Sequence, residues 1–177
     1  MAQKITPTKQ ERVMRADDFI VSKSDPRGII TYCNPIFIEF SGFREHELLG
    51  KQHNIVRHPD MPRSIFALLW NTIKSGNEFM GYIKNISKDG SFYWVYATVT
   101  PSYAVTAGNK TPEIIGFFSV RRKPEQSKLS VLQDLYQQIL AEEKRVGDRE
   151  QIAAGTLVLT NALEKVGKNY HEFIDTL

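Results

Sequence analysis

Two runs of alternating side chains joined by a tight turn constrain this chain more than any other stretch of it. Phe79–Ser87 places Phe79, Gly81, Ile83 and Asn85 on one face and Met80, Tyr82, Lys84 and Ile86 on the other, the period of two that an extended strand produces. Phe92–Pro101 forms a second run, and Asp89-Gly90 between them is a hairpin turn. A third run, Pro112–Arg122 with its core at Ile114–Val120, follows a polar loop at Ser102–Thr111. Asn85 shares its face with Phe79 and Ile83. Its amide either meets water at the strand's end or needs polar partners in a covered site. Tyr93 and Trp94 point to opposite faces, so only one of them can look into an enclosed space.

The segments before the hairpin are shorter. Phe19–Val21 begins a strand, Asp25-Pro26-Arg27-Gly28 is a turn, and Ile29–Cys33 is a second strand. Asn34 caps a helix carrying Ile36, Phe37 and Phe40 up to the Ser41-Gly42 break, and Glu45–Leu49 adds one turn before Gly50. A longer helix is predicted from Pro62 to Lys74, with Phe66, Leu69 and Ile73 as its apolar stripe and Ile65 and Trp70 on the flanks. Trp70 reads either as core or as the wall of a ligand slot.

The two ends differ from the middle. Residues 1–15 are polar around Val13-Met14 and fit either a docking helix or a disordered arm. Past Pro124, Leu129, Leu132, Tyr136 and Ile139 recur at helical steps, and Glu142–Asp148 reads as a linker or helix break. Leu159, Leu163, Val166, Tyr170, Phe173 and Leu177 then alternate steps of four and three, a coiled-coil-type seam. The expected division is a polar segment at 1–15, a sensor domain at 16–123 and output or dimerisation helices at 124–177.

Unusual chemistry is concentrated in Gln52–Pro62, which holds His53, Asn54, Arg57, His58 and Asp60 around apolar Ile55 and Val56. Two prolines forbid a regular helix through it. By itself the segment fits a polar loop capping the next helix as well as it fits a ligand site.

Composition excludes several classes. A net charge of +3 does not argue for nucleic acid, and Arg121-Arg122-Lys123 reads as a solvated strand end. One cysteine, Cys33, excludes a disulfide framework and multi-cysteine metal sites. Met1–Pro7 lacks the apolar core of a signal peptide, and no run reaches the roughly eighteen apolar residues of a membrane helix. Residues 152–163 come nearest but carry Gly155, Thr156, Thr160 and Asn161. The expectation is a cytoplasmic chain with no membrane insertion and no nucleic-acid partner. His46 and His171 read as surface residues. No HExxH or CxxC spacing and no nucleophile–base pair is present, so an enzyme is not expected.

The order of elements, with Asn34-Pro35 opening the first helix and Asp89-Gly90 in the hairpin, resembles a PAS sensor domain. His53–Pro62, Gly81-Tyr82-Ile83-Lys84-Asn85 and Lys88–Val95 resemble specifically the FAD-binding PAS domain of bacterial aerotaxis receptors, over residues 16–122. The resemblance implies an α+β PAS fold, a five-stranded antiparallel sheet with short helices on one face, followed here by C-terminal helices. It implies non-covalent FAD, retained by Arg57, His58 and Asp60, with Asn34 on the opposite wall and Trp70, Phe79, Asn85 and Trp94 around the ring. Arg57 suits phosphate oxygens, His58 a phosphate or a stack, and Asp60 ribose hydroxyls or the orientation of Arg57. Phe79 departs from the tryptophan typical of the family.

Flavin photoreceptors of the superfamily carry a reactive cysteine on the helix that here supplies His53–His58, and Cys33 lies on an earlier strand, so adduct chemistry is not expected. The implied function is redox or oxygen sensing in aerotaxis. The C-terminal helices would signal to a chemotaxis receptor or other signalling protein, in a homodimer. A change at Asn85 would bias the sheet, and the sheet would bias the helices after Arg122. Two alternatives stay open: a haem-binding gas sensor with His53 or His58 as axial ligand, and a ligand-free PAS interaction module.

Overall fold

Alternation along the strands is realised in a five-stranded antiparallel sheet of order β2-β1-β5-β4-β3. The computed structural model describes residues 5–104 and 112–177. The strands are β1 (Ile20–Ser24), β2 (Ile30–Cys33), β3 (Phe79–Ile86), β4 (Phe92–Ala104) and β5 (Glu113–Arg122). Helices α1 (Pro35–Ser41) and α2 (Glu45–Leu48), a 3-10 turn (His53–Val56) and helix α3 (Arg63–Lys74) connect β2 to β3. Helices α4 (Gln126–Arg145), α5 (Gln151–Val166) and α6 (Tyr170–Thr176) follow the sheet. β4 continues through Ala104 into the expected loop, whose residues 105–111 lie outside the described residues, as do 1–4 of the N-terminal segment.

Register fixes which side chains share the concave face. Asn85 pairs with Tyr93, Ile83 with Val95, Val99 with Ser119 and Ser119 with Ser22. Side chains at these positions and two residues along from them point the same way. α3 covers this face, its Trp70 edge-on to Phe117 of β5 with ring centroids 5.7 Å apart. Gly28 makes room for that tryptophan: its φ of +83° suits glycine, and a Cβ there would lie 2.7 Å from the indole. Asn34 caps α1 as expected, its Oδ1 accepting from Phe37 N at 3.0 Å.

The N-terminal segment is neither helix nor free arm over its described part. Thr8 N donates to Gly90 O, Phe92 N to Gln10 O and Arg12 N to Phe92 O, a short pairing with the β3–β4 hairpin. Arg12 adds an ion pair to Asp89 at 2.7 Å, and Met14 is buried.

The C-terminal helices fold back onto the domain. Leu129, Leu132, Tyr136 and Ile139 of α4 are buried, and α4 packs on α5, which packs on α3. The seam expected from Leu159 to Leu177 is not one continuous helical face. Gly167, in the left-handed conformation at φ +64°, ends α5, and Asn169 restarts the chain as α6 through a capping box with Glu172. Leu159, Tyr170 and Ile174 are buried within the chain, while Val166 is 49% exposed. No helix among the described residues is long and apolar enough to cross a membrane.

Candidate functional site

Between the concave face, the 3-10 turn and α3 lies a cavity of about 300 Å³. Its apolar walls are Leu69, Trp70 and Ile73 of α3, Ile83 of β3, Ala97 and Val99 of β4 and Phe117 of β5. Polar groups enter from Ser22 and Ser24, from Asn85, from Ser119 and Arg121, and from His53, Asn54 and Arg57. Arg27, Gln52 and Lys74 also contribute, and all three are exposed residues. A small apolar space with a few convergent polar groups is the ordinary form of a small-molecule site, roughly 300–1,000 Å³ in size.

Of the residues expected at the site, Arg57, Trp70 and Asn85 line this cavity. Arg57 is held by a hydrogen bond from Nη2 to Met61 O at 3.1 Å and lies 4.5 Å from the Phe66 ring centroid. Burial, and then the charge of Arg63, lowers its pKa. Asn85 is 4% exposed and lines the cavity. Its backbone forms an isolated bridge with Arg57. Two residues named for the site are therefore coupled directly through main chain.

The other expected residues are not part of the cavity wall. Asn34 spends its amide on local structure: Oδ1 accepts from Phe37 N and Val21 N, and Nδ2 donates to Phe19 O at 2.7 Å. His58 lies edge-on to Phe92, and its Nδ1 accepts from Asp60 N at 3.1 Å. That leaves Nε2 as the proton-bearing nitrogen, buried and unpartnered among the described residues. Burial, with the nearby Lys84 charge, lowers the His58 pKa to about 4. Asp60 is half exposed and pairs with Lys84 at 3.4 Å.

Phe79 is on the concave side by alternation but is covered by Tyr170 of α6, the rings stacked with centroids 5.7 Å apart. Trp94 points to the opposite face and meets Tyr136 of α4, with centroids 6.4 Å apart. Tyr93 takes the inward position instead, edge-on to Phe40, with its hydroxyl unpartnered among the described residues.

A buried charge at the sheet's end corrects the reading of Arg121 as solvated. It is 3% exposed. Its Nε donates to Ser119 Oγ at 3.1 Å, and its Nη2 donates to Ser22 Oγ and lies 3.3 Å from His53 Nε2. The guanidinium sits 4.7 Å from the Phe37 ring centroid, on which His53 also stacks. Because arginine only donates, His53 Nε2 acts as acceptor and the imidazole is neutral. Burial and then the Arg121 charge bring the His53 pKa down to about 3. Nη1 of Arg121 has no partner among the described residues, and no carboxylate pairs with the group there. Burial lowers its pKa to about 10. The available sign was the alternation Phe117, Ser119, Arg121, which places the arginine on the covered face.

A sheet of this order, with short helices enclosing a ligand-sized cavity, defines a PAS-type sensory domain. The family model described as "PAS fold" matches residues 30–117, and the chain belongs to that family. It is 34% identical over 134 residues to the aerotaxis receptor of Escherichia coli (strain K12), covering 76% of this chain and 25% of the receptor. It is 31% identical over 81 residues to the nitrogen fixation regulatory protein of Klebsiella pneumoniae, covering 46% of this chain and 16% of that protein. The dark structure of the blue-light photoreceptor Aureochrome1 LOV shares the fold at a TM-score of 0.55 and 18% identity, over 66% of this chain and 81% of that one. The chain thus spans a quarter or less of the length of these two sequence relatives.

Proposed function

We propose that this chain is a flavin-binding PAS sensor of redox state or oxygen supply, that its cofactor is FAD, and that it serves aerotaxis. What carries the reading is the unpartnered polar equipment of the cavity. Asn85 and Arg121 line an apolar slot beside Trp70 and Phe117, and Nη1 of Arg121, buried and without a partner among the described residues, suits an acceptor on a flavin ring edge. The similarity to the aerotaxis receptor supports the same reading. The volume of about 300 Å³ suits the ring and not a whole dinucleotide. The remainder of FAD would lie outward, where Arg57, Arg27 and Lys74 supply positive charge.

A bound flavin supplies a reversible redox couple whose reduction changes acceptors on the ring edge into donors. Asn85 is suited to follow such a change, since an amide both donates and accepts. Turning it acts on β3 and, through the backbone bridge to Arg57, on the segment that leads into α3. Glu143 of α4 accepts from Arg63 N and Ser64 N at the start of α3, so the C-terminal helices are tied to this route as well as to the sheet. In this reading α4 to α6 pass the state to a chemotaxis receptor or another signalling protein. The chain acts as a homodimer on the cytoplasmic side, with Val131, Ile152, Leu157 and Val166 as exposed apolar contacts.

The test is the identity of the bound chromophore. Protein purified without added cofactor should release FAD on acid treatment, identified by chromatography. Release of FMN alone, a Soret band, or a colourless protein that takes up no added FAD would overturn the assignment.

A further inference from the structure

Among the described residues Arg121 has no carboxylate partner, although it is one of the least exposed charged groups in the chain. Taking a guanidinium out of water without a counter-charge is costly, and a buried charge is expected to be paired or fully hydrogen-bonded. Here three of its contacts are to neutral groups, the hydroxyls of Ser119 and Ser22 and the neutral His53. Nη1 remains without a partner in a residue that lines the cavity.

We infer that Arg121, held in place by Ser22, Ser119 and His53, is a ring-reading subsite that donates to a carbonyl oxygen on the isoalloxazine edge of the ligand. This deepens the flavin assignment and rests on it. Burial decides between the ring and the phosphates of FAD as the group that Arg121 meets. The cavity's other cations lie nearer water: Arg27 and Lys74 are exposed and Arg57 is half-buried, whereas Arg121 is 3% exposed. A highly charged diphosphate belongs at the wetter group, and a neutral, planar ring with carbonyl acceptors belongs at the buried one. Phe37 under the guanidinium and His53 stacked beside it hold the fork in one orientation. The contact would also explain why a buried cation is kept in an otherwise apolar slot.

The experiment compares a ring without a tail to the whole cofactor. Full-length protein is stripped of flavin and titrated with lumiflavin and, separately, with FAD, following the quenching of flavin fluorescence. Arg121→Met should weaken both by the same factor, about ten- to hundredfold, as expected for a hydrogen bond from a charged donor. Arg121→Lys, which keeps the charge and loses the planar fork, should lie between, and it serves if the methionine variant does not fold. Flavin-free Arg121→Met should melt at a higher temperature than flavin-free wild type, because an uncompensated buried charge is gone.

Loss of FAD affinity with lumiflavin affinity intact would overturn the proposal, since the arginine would then hold phosphate. Unchanged binding of both flavins, with a lower melting temperature, would make Arg121 a structural residue and overturn it too. Both outcomes leave flavin binding by the wild type standing. Wild type that binds neither flavin removes the flavin reading itself and this subsite with it.

Discussion

Glu143 and Ser64 lie 79 positions apart in the chain, and the carboxylate of the first accepts from both the backbone N–H and the hydroxyl of the second, at 2.8 and 2.7 Å. The same carboxylate accepts from Arg63 N at 2.7 Å, so the open end of α3 is capped by a side chain of α4. Glu143 is 2% exposed, and Gly155 of α5 lets it in: a Cβ there would collide with the Glu143 carboxylate and lie 2.6 Å from Ser64 Oγ. Removing the acceptor leaves buried donors unsatisfied. Glu143→Ala should therefore cost about 3 kcal/mol in urea unfolding, and Glu143→Gln, which keeps one acceptor oxygen, about half of that. A loss under about 1 kcal/mol for the alanine variant would mean that water replaces the carboxylate.

Acid should weaken the protein through its two shielded imidazoles. His53 and His58 have pKa values near 3 and 4 in the folded chain, against the ordinary value of 6.5. Between those limits the unfolded chain binds protons that the folded chain refuses, so stability falls as pH falls. It is fully present above about pH 6.5 and is lost towards pH 4, with a slope approaching 2.7 kcal/mol per pH unit for two groups. Denaturation at intervals from pH 7 to 5 reads this slope. His58→Gln should halve it, and an unchanged slope in that variant would show that His58 titrates normally.

Asn85 and Arg57 should separate as switch and anchor. Asn85→Ala is expected to keep flavin with a loss of about 1 kcal/mol, and to abolish any difference between oxidised and reduced protein in protease cleavage at the linker 146–150. Arg57→Ala should release the cofactor during purification. A full redox-dependent difference in Asn85→Ala would move the switch to Trp70 and α3.

Truncation after Lys123 should harm the domain. It uncovers Phe79 and Trp94, which are 2% and 8% exposed in the whole chain, and removes the Glu143 cap. The shortened protein should melt at a lower temperature and show aggregates in light scattering. A monodisperse product of unchanged melting temperature would mean that the helices are an independent unit.

The strands, the hairpin, the Asn34 cap and the resemblance to a PAS domain were legible because each rests on local pattern or on a long motif. What escaped depends on partners far away in the chain. Phe79 was placed on the concave face by alternation, but Tyr170, which covers it, comes 91 positions later by the numbering. Tyr93 and Trp94 were seen to oppose one another, yet only the packing of Tyr136 shows that the tryptophan is the outer residue. Arg121 was misread because a run of three basic residues hid the alternation of β5 beneath it. The broken seam was readable in part: Gly167 followed by Asn169 and Glu172 is a stop and a new capping box, which the apolar spacing overrode.

The tyrosine pair at the far side of the sheet has a further consequence. β3 is the last strand, and Tyr136, whose hydroxyl lies 3.0 Å from that of Tyr170, donates to Tyr82 O at 3.1 Å. An uncovered strand margin offers its free carbonyls and N–H groups to a strand from another molecule. Helices α4 and α6 thus shield an edge open to such pairing, and Gly81 is small enough for the Tyr170 hydroxyl to approach it. An outward swing of the C-terminal helices that uncovered β3 would expose this margin to chain-to-chain adhesion.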